Sequence, residues 1–158
     1  MQVGLYSHLR KEGLMSLHPP LPSPDALSRP FWEGVKMRKL LVQKCDDCGL
    51  LQFPFDNHCE SCSSARLSAT EVSGRGTVHS FTETVSGARH PYFQAISPYL
   101  AGMVELEEQD GLIFASNFPG SAYADLKVGA PVMVAFEEIA DGVIIPQFKL
   151  HGTIGKEG

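Results

Sequence analysis

The residues of this chain with the clearest chemistry are its four cysteines, which all fall between positions 45 and 62. They form two C-x-x-C pairs, Cys45 with Cys48 and Cys59 with Cys62, and ten residues separate the pairs. Two residues between cysteines let both sulfurs of a turn reach one ion, and a second pair completes the tetrahedral shell that zinc prefers. The spacing therefore predicts a structural zinc site of the zinc-ribbon type.

The cysteine pattern also limits what the metal can do. The same four thiolates suit iron in a rubredoxin-like centre, so the sequence leaves the identity of the metal open. A thioredoxin-like redox pair fits less well, because it needs a single C-x-x-C at the start of a helix. Four protein ligands leave no coordination position for water, so we expect the metal to stabilise a small unit and not to be catalytic.

Outside the cysteines, no nucleophile and base stand at the spacing of a known catalytic motif. The chain has six histidines, namely His8, His18, His58, His79, His90 and His151. Arg75 lies in the sequence SGRG, which either meets a phosphate of a ligand or forms a linker turn. Residues 86–100 include Tyr92, Phe93 and Tyr99, which either stack on an adenine ring or plug the end of a barrel.

We next consider the elements that position these residues. For residues 1–27 we predict a flexible Pro-rich arm. Each proline removes a backbone donor and restricts the residue before it, so the arm cannot be a continuous helix. A short amphipathic helix is predicted over residues 28–38, with Ser28 as its N-cap and a proline in its first turn. Phe31 and Trp32 in this helix either pack on the domain's own core or dock on a partner.

The rest of the pattern predicts a mainly β chain, with a zinc ribbon over residues 39–70, an OB-fold over 71–150 and a tail over 151–158. The barrel has five strand candidates, bounded by Gly, Pro, Asp and Ser, at residues 76–85, 100–108, 111–118, 130–139 and 142–150. One or two helical turns are expected at residues 121–129. Five strands with a short helix after the third match the OB-fold, a small Greek-key barrel.

The charge distribution is uneven and bears on the class of partner. The net charge is -5, and residues 1–75 carry nine basic and eight acidic side chains, whereas residues 76–158 carry four and ten. An acidic barrel half argues against nucleic acid, because that binding depends on neutralising phosphates. The sequence shows neither a run of about 18 apolar residues nor the apolar core of a signal peptide, so we expect a cytoplasmic protein with reduced thiols.

Taken in order, several segments of the chain closely resemble one known family. They are PFWEGVKMRKLLVQKCDDCGLLQFPFDNHCESC, SGRGTVHSFT, PYLAGMVELEE with GLIFASNF, and VGAPVMVAFEEI with IPQF. The family consists of small acyl-CoA-associated proteins with an N-terminal helix, a rubredoxin-like zinc ribbon and a C-terminal OB-fold. The resemblance covers about residues 24–150, and an ordered series of motifs is more specific than the cysteine spacing alone.

This resemblance implies a non-catalytic subunit of a hetero-oligomer with a thiolase-fold enzyme, which forms or cleaves a carbon–carbon bond next to a CoA thioester. Known settings of the family are archaeal acetoacetyl-CoA thiolase with hydroxymethylglutaryl-CoA synthase, thiolase-like aldolases of steroid side-chain degradation, and benzylsuccinyl-CoA thiolase. The resemblance implies structural Zn²⁺, and CoA or acyl-CoA as a shared ligand. The candidate CoA contacts are Arg75, Tyr92, Phe93 and Tyr99, and the candidate docking residues are Phe31 and Trp32.

Two other functions are compatible with the same residues. Zinc ribbons and OB-folds often bind nucleic acid, which is the principal alternative. A standalone rubredoxin-like electron carrier is the third hypothesis, and it requires iron in place of zinc.

Overall fold

The computed structural model describes residues 18–86 and 89–152. Most of the predicted arm and of the predicted tail lies outside these residues. The described residues form two helices, α1 (Arg29–Lys36) and α2 (Pro91–Ile96), and eight strands, β1 (Leu40–Cys45), β2 (Leu51–Gln52), β3 (Leu67–Val72), β4 (Arg75–Thr84), β5 (Tyr99–Leu106), β6 (Ile113–Asn117), β7 (Pro131–Ala140) and β8 (Val143–Leu150). The predicted mainly β class is therefore confirmed.

The strands form two antiparallel sheets. The first has the order β2-β1-β3 and carries the cysteines, and the second has the order β6-β5-β4-β7-β8. The two outer strands of the second sheet meet where the Phe148 backbone amide donates to the Ser116 hydroxyl at 2.9 Å. This contact brings the sheet round into the five-stranded OB-fold barrel that the sequence predicts.

The barrel curves at an irregularity in β4. The pairing of β4 with β5 shifts register between Val78 and Ser80. Gly102 of β5 lies beside this point, and a Cβ atom placed there would come within 2.0 Å of the Ser80 carbonyl oxygen. Glycine is therefore needed for the two backbones to approach where β4 bends.

The helix α1 begins and ends through local contacts. Ser28 occupies the predicted N-cap position, but its hydroxyl donates to Asp25 Oδ1 at 2.5 Å instead of capping a helical amide. Arg38 adopts a left-handed backbone (φ 58°) just after the helix, and the Lys39 amide then donates to Gly34 O at 2.9 Å. This reversal closes α1 and turns the chain directly into β1.

The short helix of the barrel half lies at a different place from the predicted one. Residues 121–129 form isolated turns, with the Asp125 amide donating to Ala122 O at 3.0 Å, and contain no helix. The helix α2 forms instead between β4 and β5, because His90 Nδ1 accepts from the Tyr92 amide and a proline follows His90 in the first turn. A cap residue followed by Pro is a helix-start signal, and the sequence prediction missed it.

Helix, ribbon and barrel share one hydrophobic core. Its buried residues come from all three parts, including Phe31 and Val35 of α1, Leu40 and Val42 of β1, and Val104, Phe114 and Phe148 of the barrel. Such a shared core means that the ribbon is packed on the barrel through apolar contacts, with α1 between them.

Candidate metal centre and the surfaces around it

The four predicted cysteines converge on one point of the ribbon. Their Sγ atoms all lie within 4.8 Å of one another, with 3.5 Å between Cys45 and Cys62 and 3.6 Å between Cys48 and Cys59. Tetrahedral zinc with Zn–S bonds of about 2.3 Å requires sulfur separations of roughly 3.8 Å. The four sulfurs therefore fit a zinc ion with little movement, and an all-thiolate donor set also suits iron.

The two C-x-x-C turns have the same backbone construction. The amide of Gly49 donates to Cys45 O, and the amide of Ser63 donates to Cys59 O, each at 2.9 Å. Gly49 and Ser63, which directly follow the second cysteine of each pair, both have a left-handed backbone, with φ of 78° and 60°. Glycine adopts this conformation freely, whereas serine is strained there by about 1 kcal/mol. The sequence signals only the first turn by its glycine.

Backbone amides prepare the sulfurs for a metal ion. The amide of Cys48 donates to Cys45 Sγ, and the amide of Ser64 donates to Cys62 Sγ. The hydrogen bond from Cys48 is the main cause that lowers the pKa of Cys45 to about 7. The Ser64 amide lowers the pKa of Cys62, but the neighbouring Cys45 and burial outweigh it and raise that pKa to about 12. Without a metal the cluster therefore favours the thiolate at Cys45, and the thiolate is the form that binds a metal.

Two buried glutamines hold the cysteine loops on the sheet. Gln43 Oε1 accepts from the Asp56 amide at 2.7 Å, and Gln52 Oε1 accepts from the Glu60 amide at 3.0 Å. The two side chains also bond to each other, with Gln52 Nε2 donating to Gln43 Oε1 at 3.1 Å. These amides satisfy loop backbone groups that lie away from water. Sequence reasoning missed them, because a glutamine in a strand gives no signal of burial.

An ion pair links the two cysteine turns on the surface. Asp47, between the first two cysteines, pairs with Arg66 and accepts from the Ser64 hydroxyl, and both of these residues follow Cys62. The pair is exposed, so its contribution to stability is small, and its main effect is to hold the turns in register.

The candidate docking residues Phe31 and Trp32 have different positions. Phe31 is 6% exposed and packs against Phe53 of the ribbon and Phe114 of the barrel, with ring centroids 5.1 and 6.3 Å away. Trp32 is partly buried, and its ring packs edge-to-face with that of Phe31, with ring centroids 5.0 Å apart. Phe31 is therefore a core residue, and of the two only Trp32 keeps exposed surface for a partner.

Arg75 is engaged by a carboxylate. Its Nε donates to Glu107 Oε1 at 2.7 Å, and this hydrogen bond holds the pKa of Glu107 below its usual range. The cleft beside Arg75, about 300 Å³ in volume, is also lined by Glu105 and Asp110. Three carboxylates surround one guanidinium and repel a phosphate. The charge around Arg75 therefore disfavours the predicted phosphate contact. The SGRG segment forms the turn from β3 to β4, with Gly74 at φ 74°.

The three candidate aromatic residues of the 86–100 segment do come together. Phe93 of α2 lies 5.2 Å from Tyr92 and 5.4 Å from Tyr99 between ring centroids. Tyr92 is 4% exposed, whereas Phe93 and Tyr99 are half-buried. Tyr92 is therefore buried beside Phe93, whereas Phe93 and Tyr99 keep accessible surface.

Arg75 and the aromatic cluster do not form one site. Arg75 begins β4, whereas Tyr99 pairs with Thr84 at the other end of the same strand. Nine residues of strand at about 3.3 Å each give a strand length of roughly 30 Å between them, and the bend in β4 shortens the direct distance. The four candidate CoA contacts are therefore divided between opposite ends of the barrel.

In the part of the chain that the structure describes, neither helix is long and apolar enough to cross a membrane.

A four-cysteine zinc ribbon followed directly by an OB-fold defines the class of this protein. The model of the ChsH2 rubredoxin-like zinc ribbon domain matches residues 32–68, and the model of the ChsH2 C-terminal OB-fold domain matches residues 69–137. The chain belongs to this ChsH2-type family, which includes proteins with the DUF35 domain, as the sequence resemblance indicated.

The relatives of this chain include a scaffold protein and proteins named as subunits of acyl-CoA enzymes. A DUF35 domain-containing scaffold protein of Methanothermobacter thermautotrophicus is 32% identical over 75% of this chain and 90% of its own length. The benzoylsuccinyl-CoA thiolase subunit BbsA of Thauera aromatica is 29% identical over 90% of this chain and 91% of its own. The compound in that name is benzoylsuccinyl-CoA, which corrects the benzylsuccinyl-CoA suggested by the resemblance.

A further relative is a longer protein. The probable enoyl-CoA hydratase alpha subunit of Thermomonospora curvata is 32% identical over 75% of this chain. The match spans 36% of that relative, so the chain corresponds to about a third of its length.

Two solved structures have the same fold. The Ltp2-ChsH2(DUF35) aldolase contains a chain that matches with a TM-score of 0.73 and 29% identity, over 82% of this chain and 98% of that one. A DUF35-family protein from Sulfolobus solfataricus matches with a TM-score of 0.56 over 91% of this chain and 92% of that one, at 16% identity, and shows the fold alone.

Proposed function

We propose that this chain is a non-catalytic zinc-ribbon/OB-fold subunit of a complex with a thiolase-fold enzyme that forms or cleaves a carbon–carbon bond next to a CoA thioester. Its roles are to assemble the complex and to help bind the CoA ester. The observation that carries the proposal is the alignment over nearly the full length of both chains with BbsA, a thiolase subunit. The match to 98% of a chain in the Ltp2-ChsH2 aldolase supports the same kind of complex.

The chemistry of the described residues agrees with a non-catalytic role. All four cysteines of the chain belong to the metal cluster, so none is free to act as a nucleophile on a thioester. His79 Nδ1 lies 3.9 Å from Glu105 Oε2, with the His79 side chain exposed and that of Glu105 partly exposed. An exposed pair of this kind, with only hydroxyl residues such as Thr77 beside it, lacks the thiol that thioester chemistry uses. A catalytic cysteine for thioester chemistry is therefore expected on the partner chain.

If zinc is bound, Cys45, Cys48, Cys59 and Cys62 hold it and it supplies structural cross-linking of the ribbon. Folding of the ribbon then places Phe53 on the barrel, where its ring stacks on Phe114 at 3.8 Å.

For the CoA ester we propose Phe93 and Tyr99 as the contacts of this chain. Both rings are half-buried at the end of the barrel and provide flat apolar surface on which an adenine can stack. Tyr92 packs edge-to-face on Phe93 with ring centroids 5.2 Å apart. Arg75 is not included in this contact set, because it lies at the other end of β4 and is paired with Glu107.

The nucleic-acid alternative is disfavoured by the outer surface of β5 and β6. OB-folds use this surface for oligonucleotides, with aromatic side chains for stacking and basic ones for phosphates. Here the cleft on that surface is lined by residues such as Ala101, Met103, Ala115 and Asn117, and none of its lining residues is aromatic or charged.

The experiment that tests the proposal is affinity purification of the tagged chain from its native host, followed by mass spectrometry and acyl-CoA assays. The expected result is a thiolase-fold chain in near-equal amount, with thiolysis or aldol cleavage by the complex and none by this chain alone. Robust activity of the isolated chain, or co-purification of nucleic acid without such a chain, would contradict the proposal.

A further inference from the structure

One side of the barrel presents an apolar surface that the described part of the chain leaves open. It extends from the outer sides of β4, β5 and β6 to β8 and forms a cleft of about 480 Å³. Its apolar lining consists of Ala101, Met103, Ala115, Ile145 and Pro146, and Met103 is 41% exposed. We call this surface the β5–β8 face.

Gln147 borders the β5–β8 face, and its side-chain oxygen lacks a hydrogen-bond donor among the described residues. Its neighbour Phe148 belongs to the barrel core, so the side chain of Gln147 is directed to the other side of β8. Gln147 is 3% exposed, yet its Oε1 accepts no hydrogen bond from any described residue. A buried acceptor without a donor costs folding stability, so a donor that reaches Gln147 Oε1 upon binding would gain a hydrogen bond that no described residue supplies.

A second acceptor of the same kind lies beside it. The register of β7 and β8 pairs Ala135 with Gln147 and Glu137 with Ile145, so Glu137 and Gln147 are diagonal neighbours on one side of the hairpin. Diagonal neighbours have Cα atoms about 7–8 Å apart, within reach of long side chains. Glu137 Oε2 is buried and also has no partner among the described residues, and burial raises the pKa of this carboxyl.

We propose that the β5–β8 face, together with Gln147 and Glu137, binds the catalytic partner subunit through an apolar partner surface that carries a lysine or arginine side chain. This inference rests on the proposed function, because it assigns a surface to that complex.

The chemistry of the occupant follows from the two acceptors. One is neutral and one is an anion, and a single cationic donor placed between them satisfies both. Arginine has five donors in a planar fork, and lysine has three. Two cations of this chain lie near Glu137, since Lys149 lowers the pKa of its carboxyl and Arg38 donates to Phe136 O at 3.1 Å. Neither forms a hydrogen bond with Glu137 Oε2. Apolar walls around a paired charge are the usual centre of a protein interface.

The test uses the full chain and the purified thiolase-fold subunit that co-purifies with it. Gln147→Leu and Met103→Glu are compared with the wild type in calorimetric binding titrations, and Val128→Glu, 68% exposed and outside the face, is the matched control. Gln147→Leu is expected to bind about tenfold more weakly, because it loses a hydrogen bond that forms only in the complex. Its melting temperature is expected to be equal or higher, because leucine removes an unpaired acceptor.

Met103→Glu is expected to weaken binding by at least about tenfold, since it places a carboxylate in the apolar centre, and Val128→Glu is expected to bind as the wild type does. If both face variants bind as tightly as the wild type, the inference is wrong and the proposed function stands. If the wild type binds no thiolase-fold chain, the inference and the proposed function are both wrong. If the variants instead break a dimer of this chain in sedimentation experiments, a second copy covers the face and the inference is overturned.

Should Gln147→Leu bind weakly and also melt at a lower temperature, a folding defect explains that variant. Met103→Glu then decides, because an exposed side chain can be replaced without disturbing the core.

Discussion

The side-chain amide of Gln109, in the turn after β5, pairs with both backbone polar groups of Leu51 in the ribbon. Gln109 Nε2 donates to Leu51 O at 2.7 Å, and Gln109 Oε1 accepts from the Leu51 amide at 2.8 Å. The amide thus takes the place of a neighbouring strand residue at the edge of β2. This polar contact between ribbon and barrel adds to the apolar one made by Phe53 and Phe114.

Gln109→Ala is expected to lower the free energy of unfolding by about 1–3 kcal/mol, because it leaves two partly buried backbone groups without partners. Urea unfolding followed by fluorescence measures the change. The adjacent and exposed Asp110→Ala is the control, with a change within about 0.5 kcal/mol. Equal stability of the two variants would show that water replaces the Gln109 amide without loss.

Cys45→Ser and Cys62→Ser are each expected to abolish stoichiometric metal binding, because a hydroxyl is a poor replacement for a thiolate ligand of zinc. Elemental analysis should find about one zinc ion per wild-type chain, and iron would move the centre to the rubredoxin class. His58→Ala, next to Cys59, should keep its metal. A cysteine variant that still holds one equivalent of zinc would refute the four-thiolate site.

Trp32→Ala and Phe31→Ala should have opposite main effects. Phe31 is buried between ribbon and barrel, so its truncation is expected to cost about 3–5 kcal/mol of stability. Trp32 is partly exposed, so its truncation should weaken binding of the catalytic partner more than it weakens the fold. Chemical unfolding and binding titrations on both variants separate the two effects. Unchanged binding by Trp32→Ala, together with a large loss of stability, would make Trp32 a core residue too.

Glu137→Gln is expected to change how stability depends on pH. Burial raises the pKa of Glu137 above 4.5, and Lys149 lowers it by a lesser amount. Because the folded pKa exceeds the unfolded one, wild-type stability is highest below the unfolded pKa near 4.5 and falls as pH rises through the folded pKa. The glutamine variant lacks this loss, so it should be the more stable protein at pH 7, with the difference vanishing toward pH 4.

Urea unfolding of isolated chains between pH 4 and pH 7 checks this, with the exposed Glu83→Gln as control. Parallel stability curves for wild type and Glu137→Gln would show that Glu137 ionises alike in the folded and unfolded chain.

The features that the sequence determined are those that depend on neighbours along the chain. Two C-x-x-C pairs ten residues apart predict the metal cluster, because each turn sets the geometry of its own two sulfurs. Alternating strands with Gly- and Asp-containing turns predict the β7–β8 hairpin and its pairing in the OB-fold. The helix α2 was also encoded locally, by His90 and the proline after it, but its signal was overlooked.

The features that only the tertiary structure decided depend on residues distant in the chain. Whether Phe31 is core or docking surface is settled by Phe53 and Phe114, which belong to two other parts of the fold. Arg75 offers a phosphate contact in isolation, but Glu107 neutralises it from 32 residues away. The burial and the pairing of a side chain depend on contacts with residues that are distant in the sequence. A local pattern of residues therefore cannot predict them.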